Sequence, residues 1–251
     1  MTNKKEITIS HHDRQIRGIY YIPQNKEKYP IVIFSHGFGG VGVDFERYAV
    51  LMAENGIAAI TYDFCGGSSR SKSSGKTSEM SVLTEKEDLC AVIDEVRTWE
   101  EVEEENLFLF GESQGGLVTA LTIDEREDQI RAVMLIYPAL CIEDDWAKTY
   151  PNLEEVPDEF DFWGTNLGKC YVEALRGFDT YSHIGKYAKK VFMMHGDKDP
   201  IVNISYSERL VKMYPDAVLE VFPGEGHGFS EEGSLRAREM CVEFVQKNIM
   251  E

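Results

Sequence analysis

No apolar run in the sequence approaches the roughly 18 to 20 residues needed to cross a bilayer, which excludes a membrane-spanning helix. Cysteine is sparse and unpatterned. Cys65, Cys90, Cys141, Cys170 and Cys241 are odd in number, widely scattered and free of any C-x-x-C pair, which argues against a disulfide framework or a zinc site and for reduced thiols. Cys90 and Cys241 fall within helical patterns and read as core. Cations are in short supply: 26 Lys and Arg stand against 44 Asp and Glu, a formal net charge of −18. Basic residues come no closer to a patch than pairs such as Lys189-Lys190, so a nucleic-acid or anionic-membrane partner is not expected. The acidity reads as a solvated surface. Residues 66–78 are rich in Gly, Ser and Lys but lack G-x-x-x-x-G-K-[ST], which excludes a phosphate-binding loop. His11 and His12 adjoin with no third ligand nearby, so no metal site is expected there. Residues 1–9 carry lysines but neither an apolar core nor a cleavage site, and the expected location is cytoplasmic.

What is present is a rhythm of apolar strands and helices. Residues 4–22 alternate and predict an edge hairpin turning near His11-His12-Asp13. Pro30-Ile-Val-Ile-Phe-Ser35, Ile57-Ala-Ala-Ile-Thr-Tyr62, Leu107-Phe-Leu-Phe110, Ile130-Arg-Ala-Val-Met-Leu-Ile-Tyr137 and Lys190-Val-Phe-Met-Met-His195 are near-continuous apolar runs, as expected for parallel strands covered on both faces. Ala217-Val-Leu-Glu-Val-Phe222 adds one more. Helices are predicted over about 44–55, with Asp44 as N-cap, and over 81–100, where Val82, Leu83, Leu89, Val92, Ile93 and Val96 form the apolar face and the charged residues the solvated one. Further helices are expected after the Leu107 run, near 203–213, and from the loop 223–229 to about Ile249. The fold class is therefore α/β: a mostly parallel sheet covered by helices on both faces, with functional loops at the carboxyl ends of the strands. Residues 139–187 break the rhythm with two of the three tryptophans, several acids and two prolines. They are read as an inserted cap within a single domain spanning 1–251.

The chemistry centres on Gly111-Glu-Ser113-Gln-Gly115, a G-x-S-x-G at the passage from an apolar strand to a helix. A serine hydroxyl needs a base within hydrogen-bond reach, and the base needs an acid that fixes its tautomer. His227, in Gly224-Glu-Gly-His227-Gly-Phe, is the candidate base. Asp197 and Asp199, in His195-Gly-Asp197-Lys-Asp199-Pro200, are the candidate acids.

The elbow, His36-Gly37-Phe38-Gly39-Gly40, His195-Gly-Asp-Lys-Asp199 and Gly226-His227-Gly together resemble the α/β-hydrolase family across nearly the whole chain. The family pattern His-Gly-x-x-Asp selects Asp199 as the acid of a Ser113, Asp199, His227 triad, and makes His36, His195 and Asp63 loop supports. The N–H groups of Gln114, after the nucleophile, and of Phe38 are the expected oxyanion donors. Tyr62-Asp-Phe-Cys-Gly66 and Ser73-Ser-Gly-Lys-Thr-Ser-Glu-Met80 narrow the resemblance to the feruloyl and cinnamoyl esterases of bacteria. That resemblance implies a serine carboxylesterase acting on small-molecule esters without a cofactor. It also implies that residues of the insertion bind the substrate: Asp144, Asp145 and Tyr171 toward a phenol hydroxyl, Trp146, Phe162 and Trp163 as pocket wall. Glu112 departs from the histidine common beside the nucleophile, and if unpaired would disfavour acidic substrates; Cys65 replaces a larger polar residue. Two other readings stay open, a peptidase of the acyl-peptide or prolyl type and a non-catalytic hydrolase-fold binding protein, and so does a homodimer.

Overall fold

The computed structural model describes residues 3–24 and 27–250. Its strands are β1 (Asn3–His11), β2 (Arg14–Ile22), β3 (Tyr29–Ser35), β4 (Ala58–Tyr62), β5 (Val102–Glu112), β6 (Ala132–Ile136), β7 (Glu159–Phe162), β8 (Thr165–Gly168), β9 (Val191–Gly196) and β10 (Ala217–Phe222). Its helices are α1 (Glu46–Glu54), α2 (Val82–Val96), α3 (Gln114–Ile123), α4 (Ile142–Thr149), α5 (Cys170–Glu173), α6 (Ser205–Leu210) and α7 (Glu231–Asn248). Eight strands form one sheet in the order β1-β2-β4-β3-β5-β6-β9-β10. β2 runs antiparallel to β1 and β4, and β4, β3, β5, β6, β9 and β10 pair in parallel in that order across the sheet. This is the mostly parallel sheet expected from the run of apolar strands, in the α/β-hydrolase arrangement that the motif resemblance implies.

Period-two alternation sends successive side chains of these strands to opposite faces, so an unbroken apolar run requires two cores. Ile31, Ile33, Leu107, Leu109, Val133 and Leu135 enter the core under α2 and α3. Val32, Phe34, Phe108, Phe110, Met134 and Ile136 enter the core under α1 and α7. Register then levels the strand ends: Ser35 pairs with Gly111, Glu112 with Ile136, Ile136 with Met194, and Gly196 with Phe222. The loops that follow β3, β5, β6, β9 and β10 consequently leave the sheet side by side.

Several local expectations change. Asp44 does not cap α1; it lies in a 3-10 turn, Gly42–Phe45, and its carboxylate accepts the Val41 N–H at 3.0 Å. The Gly/Ser-rich residues 66–78 are also tied to the sheet, because Ser73 and Ser74 hydroxyls accept the N–H groups of Arg17 and Gln15 at 2.8 and 2.9 Å. α2 is not solvated at all its charges: Glu85 and Asp88 are buried, one turn apart, on its inner face. Helix α6 is only six residues long. Between β6 and β9 the chain forms α4, the β7-β8 hairpin and α5, secondary structure that its irregular sequence pattern did not foretell.

Candidate active site

Ser113 stands between β5 and α3 with φ 52° and ψ −118°, a left-handed backbone that a non-glycine residue adopts only under tertiary constraint. The constraint is the packing of α3 against the sheet. A Cβ at Gly115 would lie 2.3 Å from the Ser35 carbonyl oxygen, and one at Gly111 would lie 2.5 Å from the Gly115 carbonyl oxygen. The motif glycines thus let β5 turn into α3 against the end of β3. Gly115→Ala should displace that turn and cost about 3 kcal/mol, the upper end of overpacking effects; an unchanged urea midpoint would contradict the close approach.

Ser113 Oγ lies 3.0 Å from His227 Nε2, and His227 Nδ1 lies 2.8 Å from Asp199 Oδ2. Burial alone would raise the Asp199 pKa. Bonds from His195 and His227, with the N–H groups of Val202 and Ile201, outweigh it and hold the carboxyl well below the ordinary carboxylate range. An ionised carboxylate only accepts, so the Nδ1 proton belongs to His227 and Nε2 is free to receive the Ser113 O–H. Ile201 and Val202 N–H donate to Asp199 Oδ1 at 2.8 and 2.9 Å. His195 Nε2–H faces Asp199 Oδ2 at 3.3 Å and the Val202 carbonyl at 2.9 Å, while its Nδ1 accepts the Ser207 hydroxyl at 2.7 Å. Asp197 is spent elsewhere: it accepts the Gly224 N–H at 2.6 Å, so of the two candidate acids the structure brings Asp199 to the histidine.

The loop after β3 passes directly over the serine. A Cβ at Gly37 would come within 3.1 Å of Ser113 Cβ and 3.7 Å of its Oγ, which packs the residue before Phe38 against the serine. His36 holds this loop, its Nε2 accepting the Phe64 N–H at 3.1 Å and its Nδ1–H donating to the Gly37 carbonyl at 2.8 Å; burial lowers its pKa. Asp63 ties the same region together through the N–H groups of Gly42 and Lys72 at 2.8 and 2.7 Å. Gln114 opens α3, where the first N–H groups have no partner within the helix. Its buried side chain is fixed at both ends, donating to Glu85 Oε2 at 2.7 Å and accepting from the Tyr171 hydroxyl. Burial pushes the Glu85 carboxyl well up, with the Gln114 bond pulling back and Asp88 adding to the rise.

A cavity of about 480 Å³ opens on Ser113, Phe38 and Gln114, a size typical of small-molecule sites. Asp145, Trp146, Phe162, Trp163 and Tyr171 are among its lining residues. Asp144 is not: its carboxylate accepts the Tyr206 hydroxyl at 2.8 Å and belongs to a separate depression with Tyr181 and Arg209. On helix α4, Asp144 and Asp145 are successive and point to different sides, a distinction that needs the helix phase. Tyr171 contributes its ring to the wall, but its hydroxyl is committed to Gln114 rather than turned to a ligand. Phe160 and Tyr150 join the wall unpredicted; Phe160 shares a face with Phe162 by strand alternation. Glu112 is paired, accepting the Tyr137 hydroxyl at 3.0 Å. Among the described residues, no three His, Cys, Asp or Glu side chains converge as metal ligands, and no helix is long and apolar enough to cross a membrane.

Est1E from Butyrivibrio proteoclasticus, in a structure with ferulic acid bound, superposes with a TM-score of 0.87 at 27% identity over 96% of this chain and 98% of that one. A second Est1E structure gives a TM-score of 0.83 at 25% identity over 97% and 98% of the two chains. An uncharacterized 31.7 kDa protein from the traX-finO intergenic region of Escherichia coli is 29% identical over 110 residues, 43% of this chain and only 37% of that protein's length. The family model described as serine aminopeptidase, S33, matches residues 26–171, well over half of the sequence, and the chain therefore belongs to that family of α/β-hydrolases.

Proposed function

We propose that the protein is a serine carboxylesterase that hydrolyses aryl-propenoyl esters through an acyl-enzyme, with Ser113, His227 and Asp199 as its triad and residues 139–187 as its cap. The observation that carries the reading is the line from Asp199 through His227 to Ser113, opening on an aromatic cavity with no Lys, Arg or His among its described lining residues. His227 Nε2 takes the Ser113 proton as Oγ attacks the ester carbonyl. The Phe38 and Gln114 N–H groups receive the charge that develops on oxygen. The imidazolium then protonates the departing alkoxide, leaving an acyl-serine; water repeats the sequence and releases the carboxylic acid and free Ser113.

The wall supports a flat acyl group. Phe38 meets Phe162 edge to face at 5.3 Å between centroids, and Phe162 stacks on Trp163 at 4.5 Å. Trp163, 65% exposed at the tip of the β7-β8 hairpin, closes the outer side. Est1E, the structural neighbour solved with ferulic acid, supports the same acyl class. Asp145 and Asp161 are the charged members of the lining, so the cavity favours neutral esters and repels the carboxylate product.

The same two carboxylates favour one second reading, an aminopeptidase that holds a substrate ammonium, in keeping with the family description. A panel of methyl ferulate, methyl cinnamate, 4-nitrophenyl acetate and alanine 4-nitroanilide separates the two. The expected result is a kcat/KM for the aryl-propenoyl esters at least about tenfold above that for the anilide, with no activation by a free substrate amine. Preferential hydrolysis of the anilide would transfer the assignment to the peptidase, and equal rates for acetate and ferulate would remove the aryl-propenoyl part alone.

A further inference from the structure

His227 is held on more than its two nitrogen edges. The ring of Tyr137, the first residue after β6, lies against the imidazole at 4.4 Å between centroids, with planes inclined by 45°. Tyr137 is itself fixed in several ways. Its backbone has φ 34°, a rare left-handed setting for an aromatic residue. Its N–H donates to the Met194 carbonyl at 2.8 Å, its ring meets Phe229 edge to face at 5.1 Å, and its hydroxyl donates to Glu112 Oε1 at 3.0 Å. The triad uses neither the phenol nor the Glu112 carboxyl.

We propose that Tyr137 and Glu112 form a positioning dyad that clamps the His227 ring from its face and stabilises the imidazolium formed during each proton transfer. An aromatic face attracts a cation, and a phenol whose hydroxyl donates to a carboxylate has a more electron-rich ring. Glu112 adds a second negative charge near the imidazolium, behind the ring, while Asp199 serves the Nδ1 edge. The groups that face this cluster are Ser113 and Glu112 from the end of β5, Tyr137 after β6, His195 and Asp199 after β9, Phe229 after β10, and Tyr48 and Asp44 from α1 and the turn before it. Arg70 pairs with Asp44 and Arg238 lies over the Tyr48 ring, both one residue removed from the cluster, so the described side chains bonded to or stacked on His227 and Tyr137 include no Lys or Arg. Burial raises the Glu112 pKa, and the Tyr137 hydroxyl bond and the nearby His227 act against that rise.

The dyad rests on the proposed triad, and the test separates the two. In the Ser113→Ala background, which needs no turnover, NMR titration of the His227 Cε1–H follows the imidazole directly. Tyr137→Leu and Glu112→Gln should each lower the titration midpoint by about 0.5 to 1 pH unit, the scale of a lost cation-π or partly screened charge contact. In the otherwise native chain, Glu112→Gln should reduce kcat on 4-nitrophenyl acetate about 3- to 10-fold and leave KM unchanged. Tyr137→Phe keeps the ring and the packing and should fall between the native chain and Tyr137→Leu. A His227 midpoint that does not move in Glu112→Gln or Tyr137→Phe, in folded protein, overturns the dyad. Absence of any ester turnover in the native chain would instead overturn the esterase reading and leave the titration result standing.

Discussion

Ser113→Ala should lower ester hydrolysis about 10⁴- to 10⁶-fold while leaving the thermal midpoint close to that of the native chain. The size of the effect comes from what the hydroxyl does in the proposed cycle. Without Oγ there is no acyl-enzyme, and the Phe38 and Gln114 donors act only on the slow attack of water, which in serine hydrolases leaves a residual acceleration of about 10³ to 10⁴ over the uncatalysed rate. Folding should be spared because the removed atom bonds only His227 in this structure, and alanine suits the φ of 52° no worse than serine. A fluorophosphonate probe gives the matching chemical readout: it should label the native chain stoichiometrically and the variant not at all. A variant that retains more than about a hundredth of native kcat would exclude Ser113 as nucleophile, since no other described hydroxyl lies against His227 Nε2. Failure of the probe on folded native protein would favour a binding protein that merely keeps the fold.

How much of this was legible before the structure depended on the range of the interaction. The strands announced themselves because residues such as Ile31 to Phe34 are apolar whichever face they take, and burial on both faces leaves no other reading. Ser113 and His227 were legible because each sits in a glycine-marked turn after a strand, and level strand ends bring such turns together. The choice of Asp199 over Asp197 rested on family resemblance, and the physical reason is local: Asp197 turns back to the Gly224 N–H. Glu85 was invisible for the opposite reason. A Glu on an amphipathic helix reads as solvated, and only the arrival of Gln114 from another helix supplies the donor that makes its burial tolerable. Tyr137 looked like the last residue of a buried strand, and whether Glu112 was paired stayed open. Their bond spans 25 positions between adjacent strand ends, and no periodicity encodes it. The insertion lay furthest out of reach, since its hairpin and short helices are stabilised by aromatic contacts such as Trp146 with Phe160 and Phe162 rather than by a pattern along the chain.

The two oxygens of Asp199, the acid of the proposed triad, have different duties. Asp199 Oδ1 accepts two backbone N–H groups, from Ile201 and Val202, whereas Oδ2 receives His227 Nδ1–H, with His195 Nε2–H nearby. In Asp199→Asn the single carbonyl oxygen has to serve the two amides, since an NH₂ group there would face two donors. The NH₂ is therefore driven toward His227. Nδ1 must then become the acceptor, the proton moves to Nε2, and the imidazole presents a donor to a hydroxyl that needs an acceptor. The geometry survives and the base is lost, so kcat should fall about 10⁴-fold with KM little changed, the magnitude known for the same tautomer error in another serine hydrolase. ¹⁵N spectra of the imidazole check the cause independently of turnover, with the Nε2–H form expected in the variant and the Nδ1–H form in the native chain. Stability follows a related sign. The folded pKa of Asp199 lies below its unfolded value, so its contribution is present at neutral pH and drains away as pH falls through the carboxylate range toward the depressed folded value. Asp199→Asn should therefore be less stable than the native chain at pH 7, and the two should converge in acid. A loss of kcat under about tenfold, or a native chain already in the Nε2–H form, would remove Asp199 from the triad and with it the proton path on which the esterase reading depends.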